Sequence, residues 1–259
     1  MRVKFKVWLT LAKGVLLEAL RRKDMYVVAI LAFIIIAGAG TVGFFGVQGI
    51  EVFAKDLAFG VISLFASLLC ILITSRQLPE EIKHRTLYPL LSRPITRLDF
   101  LIGKFLGAYF VSALAFLILI AVGCLAMWRF HLSLGSIVWQ YILLKLFALW
   151  MLTAITLALS LITTPAANVT FCILFTVGAG TISRGLLLSY EGMMPITRFL
   201  SNILYYVLPH VDLFDLGKKV AYGWPPVPIW VIGTLALYAV LYSTAMLTLG
   251  WLKFNRQAV

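Results

Sequence analysis

Six continuous apolar runs, each close to the length that crosses a bilayer, leave this chain few possible folds. They cover about residues 25–47, 57–75, 103–127, 138–162, 165–188 and 229–251. A helix needs roughly 20 apolar residues to cross the hydrocarbon, and within it every backbone donor and acceptor must be satisfied inside the segment. The runs are unbroken rather than alternating, which argues against a strand barrel. A mean hydropathy of +1.02 with only 12% charged residues points the same way. The expected fold class is an all-α integral membrane protein, a single transmembrane domain over 1–259. It has six transmembrane helices, an N-terminal interfacial amphipathic helix, and short outer helices between spans five and six.

Residues 2–23 put Val7, Leu11, Val15, Leu16 and Leu20 near one helical face, with Lys6, Lys13 and Arg21 mostly elsewhere, the pattern of a helix lying in the interface. No cleavable signal peptide is evident, so the first apolar run is expected to stay as a signal anchor. Asp24 and Asp56 are candidate caps for spans one and two, with a loop at 48–56 between them. Ala39 and Gly43 form a small-xxx-small pair, as do Gly103 and Gly107 at the start of span three, and such pairs allow close helix approach. Trp128–Ile137 reads as a loop. Thr153, Thr156, Ser160 and Thr163 share one face of span four, either as inter-helix hydrogen bonding or as the lining of a translocation path. Thr164 is expected to cap span five, with Pro165 at its first position. Arg184 near the far end of that span must snorkel or pair, for example with Glu191. Between spans five and six, Pro195–Leu208 and Asp212–Tyr222 read as short amphipathic helices. The second starts at Asp212 and Asp215, carries Lys218 and Lys219 in its last turn, and stops at Gly223.

The net charge of +12 lies in segments beside the spans, so it reads as orientation and lipid contact rather than nucleic-acid binding. Of 22 Lys and Arg, 15 fall in the N-terminal segment, the 76–104 stretch and the C-terminal tail. Six spans put those three regions on one side, and the positive-inside rule makes it cytoplasmic. The expected location is the bacterial cytoplasmic (inner) membrane, with both termini cytoplasmic and 191–228 outside. Cys70, Cys124 and Cys172 lie in apolar runs without metal spacing and read as small core residues.

The densest charged stretch is 76–104. Glu80/His84 and Glu81/Arg85 are acid-first pairs four apart, the favourable helix order. Pro89 and Pro94 stop regular helix, and Thr96-x-x-Asp99 restarts it as a capping box. Residues 76–102 therefore read as a rigid elbow facing the cytoplasm, with Glu80, Glu81, Lys83, Arg85, Arg93, Pro94 and Arg97 as candidate docking residues for a soluble partner.

Glu81, Arg85-Thr86, Leu90-Leu91-Ser92-Arg93-Pro94-Ile95-Thr96-Arg97 and Gly103-Lys104 together resemble the permease subunits of ABC-2 type transporters. The N-terminal helix, six spans and outer helices resemble their overall plan, and Pro209–Leu216 resembles a segment found there. Arg85 departs from the glycine that many members carry. The resemblance implies a permease, expected to be an exporter, paired with a second permease copy or a homologous permease and with two P-loop ATPase subunits. ATP and Mg are then expected in the partner, with no cofactor or metal in this chain. The chain has no G-x-x-x-x-G-K-[ST] loop, since Phe105 follows Lys104, and it is not expected to be an enzyme. His84, His131 and His210 lack ligand spacing. Span centres lack Asp and Glu, which argues against the alternative of a secondary carrier. The other alternative is a non-transporting anchor or mechanotransmission subunit of an envelope complex.

Overall fold

The computed structural model describes residues 2–21, 50–83, 96–129, 135–178 and 208–256, with single positions at 30, 31, 34, 38, 180, 198, 202 and 205 between them. The described chain is helical, with no strand among the described residues. Its elements are α1 (Arg2–Arg21), α2 (Ile50–Lys83), α3 (Arg97–Arg129), α4 (Ile137–Ser160), α5 (Pro165–Ile173) continuing into a π-turn (Leu174–Gly178), a 3₁₀ turn (Val211–Phe214), α6 (Gly217–Ala221) and α7 (Ile229–Arg256). Four of these helices, α2, α3, α4 and α7, are long and apolar enough to cross a membrane. They coincide with expected spans two, three, four and six. Apart from residues 30, 31, 34, 38 and 180, expected span one and the part of span five beyond 178 lie outside the described residues. So do the Arg184–Glu191 pair, almost all of Pro195–Leu208, and the elbow between 84 and 95.

Several local expectations need correction. Residues 50–56 are not a loop: α2 begins at Ile50, Glu51 occupies its first turn, and Asp56 is internal. An acid in that first turn suits the helix dipole, and helix propagation does not stop where hydropathy falls. α2 also runs on through Pro79 to Lys83. Its 34 residues span about 50 Å, so its ends stand beyond a hydrocarbon layer. Thr164 is the N-cap of α5 with Pro165 at N1, but its side chain makes no capping bond. The Thr164 carbonyl instead accepts the Asn168 N–H at 2.9 Å. Asp212–Tyr222 is two pieces rather than one helix. The Asp215 carboxylate accepts the Gly217 N–H at 2.9 Å and so starts α6. Gly223 ends it with φ +64°, a left-handed conformation that glycine adopts without steric cost.

Helix directions follow from paired contacts. Glu81 meets Lys104 in a salt bridge, and a Cβ on Gly123 would stand 2.7 Å from Ile62 Cδ1. Both pairs lie 19 residues apart on each helix (81 − 62 and 123 − 104), so α2 and α3 form an antiparallel pair in one register. Tyr141 of α4 meets Phe59, with ring centroids 5.2 Å apart, and Thr153 meets Cys70 at 3.2 Å, so α4 runs parallel to α2. Trp150 Nε1 donates to Ser243 Oγ at 2.9 Å, and Gly250 lies against Ala158, so α7 runs parallel to α4.

The core follows from these directions. Phe59, Ile62, Phe116, Leu119, Tyr141 and Leu144 are buried in its largest cluster. Leu78, Phe100, Phe105 and Phe254 form a second cluster at the elbow end. At the opposite end, the Gln140 amide both donates to the Val227 carbonyl (2.9 Å) and accepts its N–H (2.7 Å). That two-point clamp holds the proline-rich approach to α7 against α4.

The N-terminal helix packs on the bundle. Trp8 Nε1 donates to Asp99 Oδ1 at 3.0 Å. A Cβ on Gly103 would stand 2.6 Å from Leu11, and one on Gly107 would stand 2.8 Å from Val15. Val15 and Ala19 are buried with Val111. The pairing climbs both helices together, so α1 packs parallel to the start of α3. The Gly103-xxx-Gly107 pair is the groove that receives it.

Gly107→Val is therefore expected to push α1 off α3. Overpacking typically costs about 1–3 kcal/mol. In detergent, the variant should lose that stability in a denaturant titration, and a cysteine at Val15 should become accessible to a thiol reagent. Unchanged stability with a protected Val15→Cys would show that the groove is not a real constraint.

Candidate functional site

Two polar constellations sit at opposite ends of the described helices. The first is the elbow end. Thr96 caps α3: its hydroxyl accepts the Asp99 N–H at 3.2 Å and donates to the Asp99 carboxylate at 2.6 Å. Asp99 is thereby fixed where Trp8 reaches it. Arg97 Nη1 donates to the Phe254 carbonyl at 2.8 Å and to the Asn255 carbonyl at 3.3 Å. The guanidinium also lies over the Phe254 ring, 5.6 Å from its centroid. A cation on the last carbonyls of a helix satisfies groups with no partner in the helix itself and complements the dipole. Lys104, only 5% exposed, pairs with Glu81 of α2.

The start of α1, both flanks of the elbow and the end of α7 thus meet at one end, the end carrying the three basic segments of the sequence. Of the expected docking residues, Glu81 and Arg97 are engaged in these internal braces. Glu80 is half-buried and Lys83 is exposed at the end of α2. Arg85, Arg93 and Pro94 lie outside the described residues.

The second constellation is a cavity of about 350 Å³ between α2, α4, the end of the α5 π-turn and the 211–218 segment. At its base is Lys145, 3% exposed. Its ammonium donates to Ser63 Oγ at 2.7 Å and Ser67 Oγ at 3.0 Å. Because an ammonium only donates, Ser63 must pass its own proton onward, and it donates to Asp215 Oδ2 at 2.7 Å. Ser67 donates to the Ser63 carbonyl at 2.9 Å. The result is a directed relay from a buried cation through one hydroxyl to a carboxylate on an exposed residue. It is how a charge is kept in a low-dielectric interior.

The hydroxyl stripe of α4 lies elsewhere. Thr153, Thr156, Ser160 and Thr163 each donate to a carbonyl three or four residues back, at 2.6 to 2.9 Å. Thr153 also meets Cys70, and Thr156 meets Cys172. Asn168 of α5 donates to the Thr156 carbonyl at 3.0 Å. The stripe is a packing seam against α2 and α5, and none of its members borders the cavity. All three cysteines are free, with Cys70 and Cys172 buried.

Sequence reasoning that looks for carboxylates in span centres misses Lys145. Its signal is nonetheless plain, since it is the one charged residue between Ile137 and Ser160, roughly 12 Å along α4. Ser63 and Ser67 carry no signal of their own, because serines four apart in an apolar helix look like packing residues. Asp215 reads in sequence as part of a capped start; its Oδ1 accepts the Gly217 N–H and its Oδ2 serves the relay.

The cavity network gives a direct energetic test. Lys145→Met is expected to destabilise the protein by about 2 kcal/mol, since it removes two buried hydrogen bonds and leaves their partners unsatisfied. Combined with Asp215→Asn, the loss should fall short of the sum by about 1 kcal/mol, as for groups in one network. Denaturant titration of the two single variants and the double variant measures this. Strict additivity would mean that Ser63 transmits no coupling.

Among curated proteins, none matches the chain. Residues 32–259 match the family DUF2705, described as a protein of unknown function. The match takes in every element of the described fold except α1, and the chain belongs to that family.

Proposed function

We propose that this chain is the permease subunit of an ATP-driven ABC-2 type transporter, an exporter, with six spans and both termini in the cytoplasm. The observation that carries the proposal is the convergence of the N-terminal helix, the elbow flanks and the end of α7 at one end, held by Trp8–Asp99, Glu81–Lys104 and Arg97–Phe254. That end carries most of the positive charge of the sequence, as the cytoplasmic side should. A braced elbow can pass a displacement into several helices, whereas a slack connector would absorb it.

The span count is supported by the helix directions. α4 and α7 run parallel, so a chain that crosses with both needs an odd number of crossings between them. α5 starts back beside α4, through Asn168–Thr156, as a fifth span would. The motifs between Glu81 and Lys104 add the resemblance to such permeases, and fuel is expected from a separate P-loop ATPase, two copies per permease pair. Fold likeness alone does not assign a function, so the proposal stands on partner binding.

The test is co-purification. The full chain, expressed with the P-loop ATPase encoded beside it, is expected to retain that ATPase through affinity purification and to alter its ATP hydrolysis. Reversing Lys83 and Glu80 together (Lys83→Glu, Glu80→Lys) should lower retention about tenfold, the scale of a lost charged contact of about 1.4 kcal/mol. Arg97→Ala should leave more of the retention intact and reduce the coupled change in hydrolysis. An ATPase that neither binds nor responds to this chain would overturn the proposal.

A further inference from the structure

The 350 Å³ cavity is a slot along one stripe of α2. It is bordered there by positions 56, 60, 63, 64, 67, 68 and 71, spacings of three and four that keep to one helix face and cover about 22 Å from first to last. Ile173, Thr176 and Val177 form a second wall, where α5 passes into its π-turn. A π-turn inside an α-helix is a recurrent mark of functional sites. Gly60 leaves the slot clear. A Cβ there would meet nothing within 4 Å, whereas Gly103, Gly107 and Gly123 each receive a side chain of another helix. Leu64 and Val177 are 48% and 61% exposed, too much for the lining of a closed void, so the apolar part of the slot opens at the surface of the bundle.

One point in this slot calls for a partner. An ammonium carries three protons, and Lys145 is 3% exposed. Two of its protons go to Ser63 and Ser67, which border the slot with it. The third has no acceptor among the described residues, although buried donors are normally satisfied. The charge itself is already answered, by Asp215 through Ser63. Three carboxylates (Asp56, Asp212, Asp215) and two amines (Lys145, Lys218) border the slot, so a further anion would add to a negative excess. The missing partner is a neutral acceptor oxygen.

We infer that the slot binds a neutral acyl chain, with its carbonyl oxygen on the third proton of Lys145 and its hydrocarbon along Leu64, Leu68 and Ile71. A carbonyl satisfies the proton without adding charge, and a bond from an ionised donor is stronger than one between neutral groups. A bare alkyl chain would shut water away from that proton and leave it unmatched. The same chemistry is found in the ester of a bilayer lipid and in a free single-chain acyl compound. Binding does not rest on the permease proposal; only a role for the occupant as cargo would.

The experiment uses the full chain purified in dodecyl maltoside, without any ATPase, and radiolabelled 1-oleoylglycerol in a scintillation-proximity assay. Gly60→Phe serves as the blocked protein, since its ring has open space to enter. The unaltered chain is expected to bind saturably and Gly60→Phe at least about tenfold more weakly. The ether 1-O-oleylglycerol has the same chain and headgroup without the carbonyl. It should compete about tenfold less well than the ester, the scale of one charge-assisted hydrogen bond. In Lys145→Met, ester and ether should compete equally. Displacement of the probe by phosphatidylcholine supports a bilayer lipid as the source, and its failure to displace supports a free single-chain compound.

Equal competition by ester and ether on the unaltered protein, undiminished binding to Gly60→Phe, or oleate competing better than the ester would overturn the inference. Should Lys145→Met not fold, the ester-against-ether comparison on the unaltered protein decides. Because no motor is present, a negative result here leaves the ATPase test untouched, and failure of the ATPase test leaves this one standing.

Discussion

The antiparallel pairing of α2 with α3 sets where everything else can go. Ile62 against Gly123 and Glu81 against Lys104 are the same register read at two heights. A shift of one residue would turn Ile62 off the glycine and part the salt bridge, so sterics and charge enforce the same alignment. Once it is fixed, Thr96 and Asp99 stand at the foot of α3. Asp99 receives Trp8, and Gly103 and Gly107 receive Leu11 and Val15. Arg97, one residue into the helix, is then placed to take the last carbonyls of α7. Each brace depends on the one before, and none is local in sequence.

Apolar surroundings explain much of the remaining polar chemistry. Inside apolar surroundings a hydroxyl has few partners other than backbone, and Thr74, Ser112, Thr153 and Thr156 all donate to the carbonyl four residues back. Such bonds satisfy the side chain without fixing a neighbour. The α4 stripe can therefore serve close packing of α2 and α5 at little cost, with Cys70 and Cys172 as soft, small partners. Lys145 has no such local solution. An ammonium four methylenes from the backbone needs acceptors on another helix, and Ser63 and Ser67 on α2 supply them. Here a buried charge, rather than shape, ties α2 to α4.

The sequence showed its fold class wherever hydropathy or local spacing carried the signal. Four expected spans coincide, to within two residues at the end of span four, with helices of membrane-crossing length, the Thr96–Asp99 box caps α3 as its spacing suggests, and Gly223 ends α6. What sequence could not show was mostly long-range. The small-xxx-small pair at Gly103 announces a close neighbour without saying which, and the neighbour is α1, about ninety residues earlier, rather than another span. Arg97 looks like a surface charge because its partners are backbone carbonyls of α7, which have no sequence identity. Hydropathy also misplaces helix ends: α2 starts at Ile50 because Glu51 and Lys55 are compatible with helix even though they are not compatible with lipid. The relay at Lys145 was half legible, since a lone lysine in an apolar helix must find partners, but only the fold names Ser63, Ser67 and Asp215.

The two polar ends are connected by a single object. α2 carries Glu81 at the elbow brace and Ser63 and Ser67 at the cavity, 18 and 14 residues away (81 − 63 and 81 − 67), or roughly 27 and 21 Å along one helix. A helix bends little over those distances unless a proline or bulge interrupts it, and Pro79 lies between the serines and Glu81, leaving Ser63 to Leu78 uninterrupted. A tilt imposed on the serine side of Pro79 would reach the serines as a displacement, whereas one imposed at Glu81 must first pass the proline. Ile62 sits against Gly123 one residue from Ser63, so this contact acts as a fulcrum near the cavity, with the long arm toward the elbow. Leverage of that kind makes small movements of Ser63 from larger ones at the elbow. Small movements are enough there, because the hydrogen bonds from Lys145 to Ser63 and from Ser63 to Asp215 are both 2.7 Å long and weaken steeply once stretched or bent. The elbow brace and the cavity network are thus coupled through α2, along a helix that carries Pro79 next to the brace.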